Sequence, residues 1–164
     1  LVQISTGELF RQHLSQQTPL GLQAQEYMSR GALVPDEITI GMVRERLAQP
    51  DVNKGAIFDG FPRTRAQAQA LDNLLKELGA QLNLVVDFVL PLEISRQRLM
   101  GRQEGRPDDR PEVIEKRLND HAQVETSVMP YYRERPGLVK SVDANRTIDA
   151  IYQDVLALLR PLLS

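Results

Sequence analysis

An α/β fold built on a doubly wound parallel sheet is what the sequence predicts, and three observations predict it. From residue 55 onward the strand and helix patterns alternate in the order β-helix-β-helix-β-helix, which fits parallel strands joined by helical crossovers. The run Leu84 to Leu90 is mostly apolar, with Val85, Val86, Phe88 and Val89, as expected of a parallel strand covered on both faces. The third observation is Gly55-Ala56-Ile57-Phe58-Asp59-Gly60-Phe61-Pro62-Arg63-Thr64. A short apolar run there delivers a carboxylate, a glycine, an X-Pro bond and an arginine just before an amphipathic helix. In open α/β sheets ligands bind at the carboxyl ends of strands, where an Asp can hold a Mg²⁺-bound water and an Arg can fork onto a phosphate. The same ten residues also fit an ordinary strand–turn–helix with a surface Asp and Arg.

Composition bounds the function. A chain of 164 residues with 41% apolar and 26% charged residues reads as one globular domain with a sizeable core. The net charge of −2 gives no bulk preference for nucleic acid. Sixteen of the basic residues are Arg and only four are Lys. Arg suits planar, bidentate recognition of phosphate, although a GC-rich genome produces the same bias. The absence of cysteine removes disulfides, Cys-based zinc sites and thiol catalysis. With only His13 and His121, a His-rich metal site is not expected either. No apolar run approaches the roughly 20 residues of a membrane span, so no membrane and a cytoplasmic location are the expectation. The chain begins at Leu1 rather than Met, as a sequence starting inside a longer one would.

The elements follow in order. Leu1 to Ile4 reads as the tail of a strand or an extended entry, and Ser5-Thr6-Gly7-Glu8 has capping-box spacing. The first helix carries Leu9, Phe10 and Leu14 inward and ends near Gln16. Thr18-Pro19 starts a second helix, which Gly31 ends. Pro35 opens a third, through Ile40, Val43 and Leu47. Three short helices before the first convincing strand suggest a small helical insertion. Thr64 caps a helix with Ala68, Leu71, Leu74, Leu75 and Leu78 at helical spacing, and Gly79 stops it. After the strand 84–90 and Pro91, a helix runs from Leu92 to about Arg102. Gly101 to Pro111, with two Gly and two Pro, is a loop. A long helix from Glu112 towards Arg133, a strand from Leu138 to Val142 and an amphipathic helix from Thr147 to Leu159 complete the chain.

Placing the arginines turns the compositional bias into a pattern. Arg98 and Arg102 are four apart near a helix end. Arg106 and Arg110 lie in the following loop, Arg117 is on the next helix, and Arg11 and Arg63 belong to the first helix and the opening turn. Singly, each fits a solvated basic face balanced by Asp108, Asp109 and Glu112. Gathered on one cleft, they would need a ligand carrying several phosphates.

At this point the residues resemble a known family. Ile4 to Arg11, Gly31-Ala32-Leu33-Val34-Pro35-Asp36-Glu37, Asp59 to Thr64 with Gln67, Arg98 to Arg102, Gly105 to Asp109 and Arg117-Leu118 resemble adenylate kinase, a nucleoside monophosphate kinase, in its order and spacing over essentially the whole chain. The resemblance implies a P-loop nucleoside monophosphate kinase-like sheet with a helical AMP-binding insertion (residues 5–34) and a short lid (103–110) within one kinase domain. It implies reversible phosphoryl transfer from MgATP to AMP, giving two ADP, with Mg²⁺ as cofactor, no zinc, and a monomer whose partners are ATP, AMP and ADP.

It also implies the residue roles. Thr6 and Arg11 would hold AMP, and the backbone of Ala32, Leu33 and Val34 would line its pocket. Gly60, Phe61 and Pro62 (with a cis bond at Pro62) would pack against it, Arg63 would grip its phosphate, and Gln67 would read the adenine edge, a role compatible with capping by Thr64. Asp59 would hold Mg²⁺ through water. Arg98 would lie against the ATP adenine, Arg102 would reach the phosphates, and Arg106 and Arg117 would clamp the transferring group. Asp108 and Asp109 would help hold the lid, and backbone near Ala144 to Arg146 would border the ATP base.

One family feature has no match here. The G-x-x-x-x-G-K-[ST] loop and its flanking strand and helix start, roughly 25 residues, are expected upstream of Leu1, and the chain alone is expected to be a poor catalyst. The alternatives are a UMP or CMP kinase on the same fold and a non-catalytic nucleotide-binding module. An Arg-rich nucleic-acid binder is disfavoured by the acidic balance and the lack of interleaved aromatics. Thr6 in the Ser-Thr-Gly turn, with Gln67, favours AMP.

Overall fold

The computed structural model describes residues 1–101 and 111–163. They form an α/β chain in two compact units, Leu1–Gln81 and Leu82–Ser164, each holding one parallel pair of strands. Among the described residues no helix is long and apolar enough to cross a membrane.

In the first unit, strand β1 (Val2–Ser5) pairs with β2 (Ala56–Asp59), with Ile4 opposite Phe58 and Ser5 opposite Asp59. Between them run helices α1 (Thr6–Ser15), α2 (Pro19–Ser29) and α3 (Asp36–Leu47), then a 3-10 turn at Pro50–Lys54. Parallel strands require such a crossover. The three helices close on a buried cluster of Ala24, Ile38 and Met42, flanked by Phe10, Leu20, Tyr27 and Val34.

Local signals account for most of the helix ends. The Thr18 hydroxyl accepts from the Gly21 amide at 3.0 Å, with Pro19 in the first turn of α2. Gly31, at φ +67°, takes the left-handed turn beyond that helix. Helix α4 (Arg65–Glu77) follows β2, and the Thr64 hydroxyl accepts from the Gln67 amide at 3.1 Å. Ala68, Leu71, Leu74 and Leu75 are buried on its inner face. Leu78 is not inward, being 55% exposed, because it is the C-cap residue, after which Gly79 turns the chain away. Ser5 precedes α1 as expected but makes no side-chain cap bond.

In the second unit, β3 (Val85–Val89) pairs with β4 (Val139–Asp143), with Val85 opposite Val139 and Val89 opposite Asp143. Between them lie α5 (Leu92–Met100), α6 (Pro111–Ser127) and α7 (Met129–Arg133), and α8 (Ile148–Leu163) follows β4, beyond the expected end at Leu159. The expected single helix from Glu112 to Arg133 is broken at Val128. Pro130 is the cause: it lacks the N–H that would bond back to Thr126, and its ring crowds that carbonyl.

Coverage of β3 on both faces is not met at its C-terminal end, where Phe88 and Val89 are about half exposed. The charge inside this strand has a partner: Arg133 of α7 donates to Asp87 at 3.1 Å and to Glu125 at 3.4 Å.

Candidate functional site

The carboxyl end of β2 builds the best-defined group of polar side chains. Gly60 follows the strand at φ +75°, and the Phe61–Pro62 peptide is cis. The turn brings the Gly60 carbonyl within reach of the start of α1. The Thr6 hydroxyl donates to the Gly60 carbonyl at 3.0 Å, and Arg63 Nε donates to the same oxygen at 2.8 Å. Two of the anticipated residues, 57 apart in sequence, thus share one acceptor.

A Cβ on Gly60 would stand 3.2 Å from both Thr6 Oγ1 and Arg63 Nη2, so the turn admits no larger residue without displacing them. Arg63 is exposed, and its bond through Nε leaves the Nη1/Nη2 edge of the guanidinium to a ligand. Such an edge matches a phosphate bidentately. Arg11 folds back along α1, its Nη1 lying 3.3 Å from where a Gly7 Cβ would be.

Gln67 is 6% exposed, and both ends of its amide are engaged. Its Oε1 accepts from the Arg63 backbone amide at 2.8 Å, and its Nε2 donates to Asp36 Oδ1 at 2.8 Å. Asp36 Oδ2 accepts from the Thr64 hydroxyl at 3.0 Å. Since an amide offers two N–H donors and two acceptor lone pairs, one of each remains after these bonds. Ala32 and Leu33 are exposed and Val34 is half-buried on the connection from α2 to α3; Leu33 reaches 88% exposure.

Asp59 ends β2 with an exposed carboxylate, and Gln3 Nε2 donates to its Oδ2 at 3.1 Å. One oxygen oriented by the neighbouring strand and the rest open to water suits a group that meets a hydrated cation, and Mg²⁺ keeps several of its waters when bound. Among the described residues no cluster of three or more His, Asp or Glu side chains is placed to hold a metal ion directly.

The remaining anticipated residues lie in the second unit. Arg98, on α5, donates through Nη1 to the Ala144 carbonyl at 3.0 Å, joining two of them. Ala144 is buried at the end of β4, where its amide donates to the Val89 carbonyl at 2.9 Å. Arg146 is drawn into its own turn: its Nε donates to the Asp143 carbonyl at 3.2 Å, and it pairs with Asp154 of α8. Arg117 is half-buried on α6 between the buried Ile114 and Leu118. Arg102, Arg106, Asp108 and Asp109, and with them the anticipated lid 103–110, lie outside the described residues.

The helices flanking that segment are tied together. Arg96 of α5 donates to Glu115 of α6 at 2.8 Å and to Glu93 at 3.0 Å. The hydrogen bond from Arg96 holds the Glu115 carboxyl below its ordinary range, and the Arg96 pKa is raised in turn.

Some partners escaped the sequence reading. Asp36 stood there only within the resembling segment Gly31 to Glu37, with no role of its own, and Gln3 and His13 had none either. His13 is buried, with Nδ1 2.6 Å from the Thr18 hydroxyl. An acid placed directly after a proline at a helix start was the one available signal for Asp36, and it points equally to a helix-dipole role.

The adenylate kinase sequence profile matches residues 1–136. The chain is 38% identical to an adenylate kinase of Enterococcus faecalis over 93% of this chain and 84% of that protein. It is 46% identical to one from a Cyanothece species, over 87% and 74%, and 41% identical to one from Salinispora tropica, over 96% and 85%. With the profile covering most of its length and relatives at this identity, the chain belongs to the adenylate kinase family.

Proposed function

We propose that the protein catalyses reversible phosphoryl transfer between ATP and AMP, giving two ADP, with AMP held by the first unit. The observation that carries this reading is the pair of bonds from Thr6 and Arg63 to the Gly60 carbonyl. They leave an exposed guanidinium edge at the end of β2. AMP would meet Arg63 and Arg11 through its phosphate, Thr6 and the 60–62 turn through its nucleoside, and Gln67 through its base. Arg98 and the Ala144–Arg146 turn would border the ATP base, with Arg102, Arg106 and Arg117 on the phosphates and Asp108 and Asp109 on the lid.

Phosphoryl transfer asks the protein mainly to position the reactants and neutralise charge, which a set of arginines supplies. Asp59 would hold Mg²⁺ through water; when bound with ATP, that ion bridges and neutralises phosphate oxygens. A monomeric cytoplasmic enzyme completes the reading.

The test is an acceptor screen with AMP, UMP, CMP and GMP, run with wild type and Arg63→Ala. AMP is expected to be the preferred acceptor. Arg63→Ala is expected to raise the KM for AMP at least tenfold, as loss of a charge-assisted pair implies, with little change for ATP. Preference for UMP or CMP, or equal loss towards both substrates, would overturn the reading.

A further inference from the structure

We propose that Asp36 is a specificity-determining residue: by fixing the orientation of the Gln67 amide, it sets which base the monophosphate site accepts. The inference rests on the reading that Gln67 faces the base.

The argument starts from the partners at the two ends of the amide. Gln67 Oε1 takes a hydrogen bond from the Arg63 backbone N–H, and Nε2 gives one to Asp36 Oδ1, each at 2.8 Å. A backbone N–H can only donate and a carboxylate can only accept. Turning the amide over would set N–H against N–H at Arg63 and C=O against carboxylate at Asp36. Both contacts would be repulsive in a site where Gln67 is almost fully buried. One orientation is therefore selected twice.

Asp36 is itself held in place. Its Oδ2 accepts from the Thr64 hydroxyl at 3.0 Å, and the Thr64 hydroxyl oxygen accepts from the backbone N–H of Gln67 at 3.1 Å. The ring Asp36–Thr64–Gln67 thus runs from the first turn of α3 to the first turn of α4.

The consequence concerns the unused half of the amide. With its orientation locked, the second N–H and the second lone pair of Gln67 point in fixed directions. Adenine offers a ring acceptor beside an exocyclic donor, and a 6-oxopurine offers the reverse pair. An amide presented one way complements the first and opposes the second, and unpaired buried polar groups make such discrimination large. Removing the negative charge from Asp36 leaves only the Arg63 amide to oppose the flipped amide.

The isosteric variant Asp36→Asn can present either an oxygen or an amide to Gln67. Calorimetric titration of the protein with AMP and with GMP gives the ratio of the two dissociation constants for wild type, Asp36→Asn and Gln67→Leu. If the proposal holds, Asp36→Asn narrows the preference for AMP by roughly tenfold, about one hydrogen bond, and Gln67→Leu narrows it as well. A merely structural role would weaken both nucleotides equally and leave the ratio in place. If Gln67→Leu narrows the ratio and Asp36→Asn does not, Asp36 has no part in selectivity and the proposal is overturned while Gln67 keeps its role. An unchanged ratio in Gln67→Leu overturns the base-reading role, and the proposal with it. Should Asp36→Asn fail to fold, Asp36→Ala is read in the same titration against the same outcomes.

Discussion

Replacing Gly21 by alanine sets two helix effects against each other, and the distances decide between them. In a helix interior the change from Gly to Ala ordinarily gains about 1 kcal/mol. Gly21 lies in α2 against α1, however, and a Cβ there would stand 2.2 Å from the His13 carbonyl oxygen, 2.5 Å from its carbon and 3.1 Å from the Leu14 nitrogen. All three atoms are backbone, so no rotamer change relieves the overlap. With favourable contacts near about 3.5 Å, the helices must separate by roughly 1 Å. That separation loosens the layer containing the fully buried Ala24 and strains the cap from Thr18 to Gly21. Overpacking costs about 1–3 kcal/mol, and a rigid obstacle puts this case near the upper end. Set against the propensity gain, a net destabilisation of about 2 kcal/mol remains, roughly a thirtyfold change in the folding equilibrium. Urea denaturation should show a lower midpoint with an unchanged slope. Gly41→Ala is the control. A Cβ there meets only the flexible methyl groups of Leu20, at 3.3 and 3.4 Å, so propensity should win and the midpoint should hold or rise. A Gly21→Ala midpoint at or above wild type would refute the packing argument, as would an equal fall in the control.

Two further predictions concern the turn and the tie between α5 and α6. Gly60→Ala forces a Cβ into a left-handed backbone (φ +75°) and against Thr6 and Arg63; displacing those two side chains should lower AMP affinity about tenfold, roughly the loss of one hydrogen bond, with ATP affinity unchanged by calorimetry. Unchanged AMP affinity would separate this turn from AMP binding. Glu115 titrates below the ordinary carboxylate range because Arg96 hydrogen-bonds its charged form. The folded pKa lies below the unfolded one, so the folded protein binds fewer protons. The stabilisation is complete above the unfolded pKa and fades as pH falls through the folded value. NMR titration should place the Glu115 carboxyl below that range, and Arg96→Gln should return it there. An unshifted Glu115 in wild type would mean that the pair does not form in solution; its exposure keeps the stability effect small.

What the sequence revealed and what it withheld divide by the distance over which the partners act. The caps from Thr18 to Gly21 and from Thr64 to Gln67 span three residues, and a local pattern suffices to find them. The same local logic placed Ser5 correctly as the N-cap residue of α1 but not the capping bond, which its side chain does not make. It also ran one helix through Pro130, where apolar periodicity persists on both sides of a residue that cannot continue the ladder. The bond from Arg133 to Asp87 spans 46 residues and that from Gln67 to Asp36 spans 31. No window short enough to carry a pattern contains either pair. Gln67 shows why this matters for function. Read locally, it either caps a helix or recognises a base, two separate uses of one amide. On the proposed reading they are one use, because the bonds that commit half of the amide to the turn and to α3 fix the direction of the other half. A side chain engaged at both ends can therefore be the more selective reader, since a free amide could turn to suit either kind of purine and this one cannot.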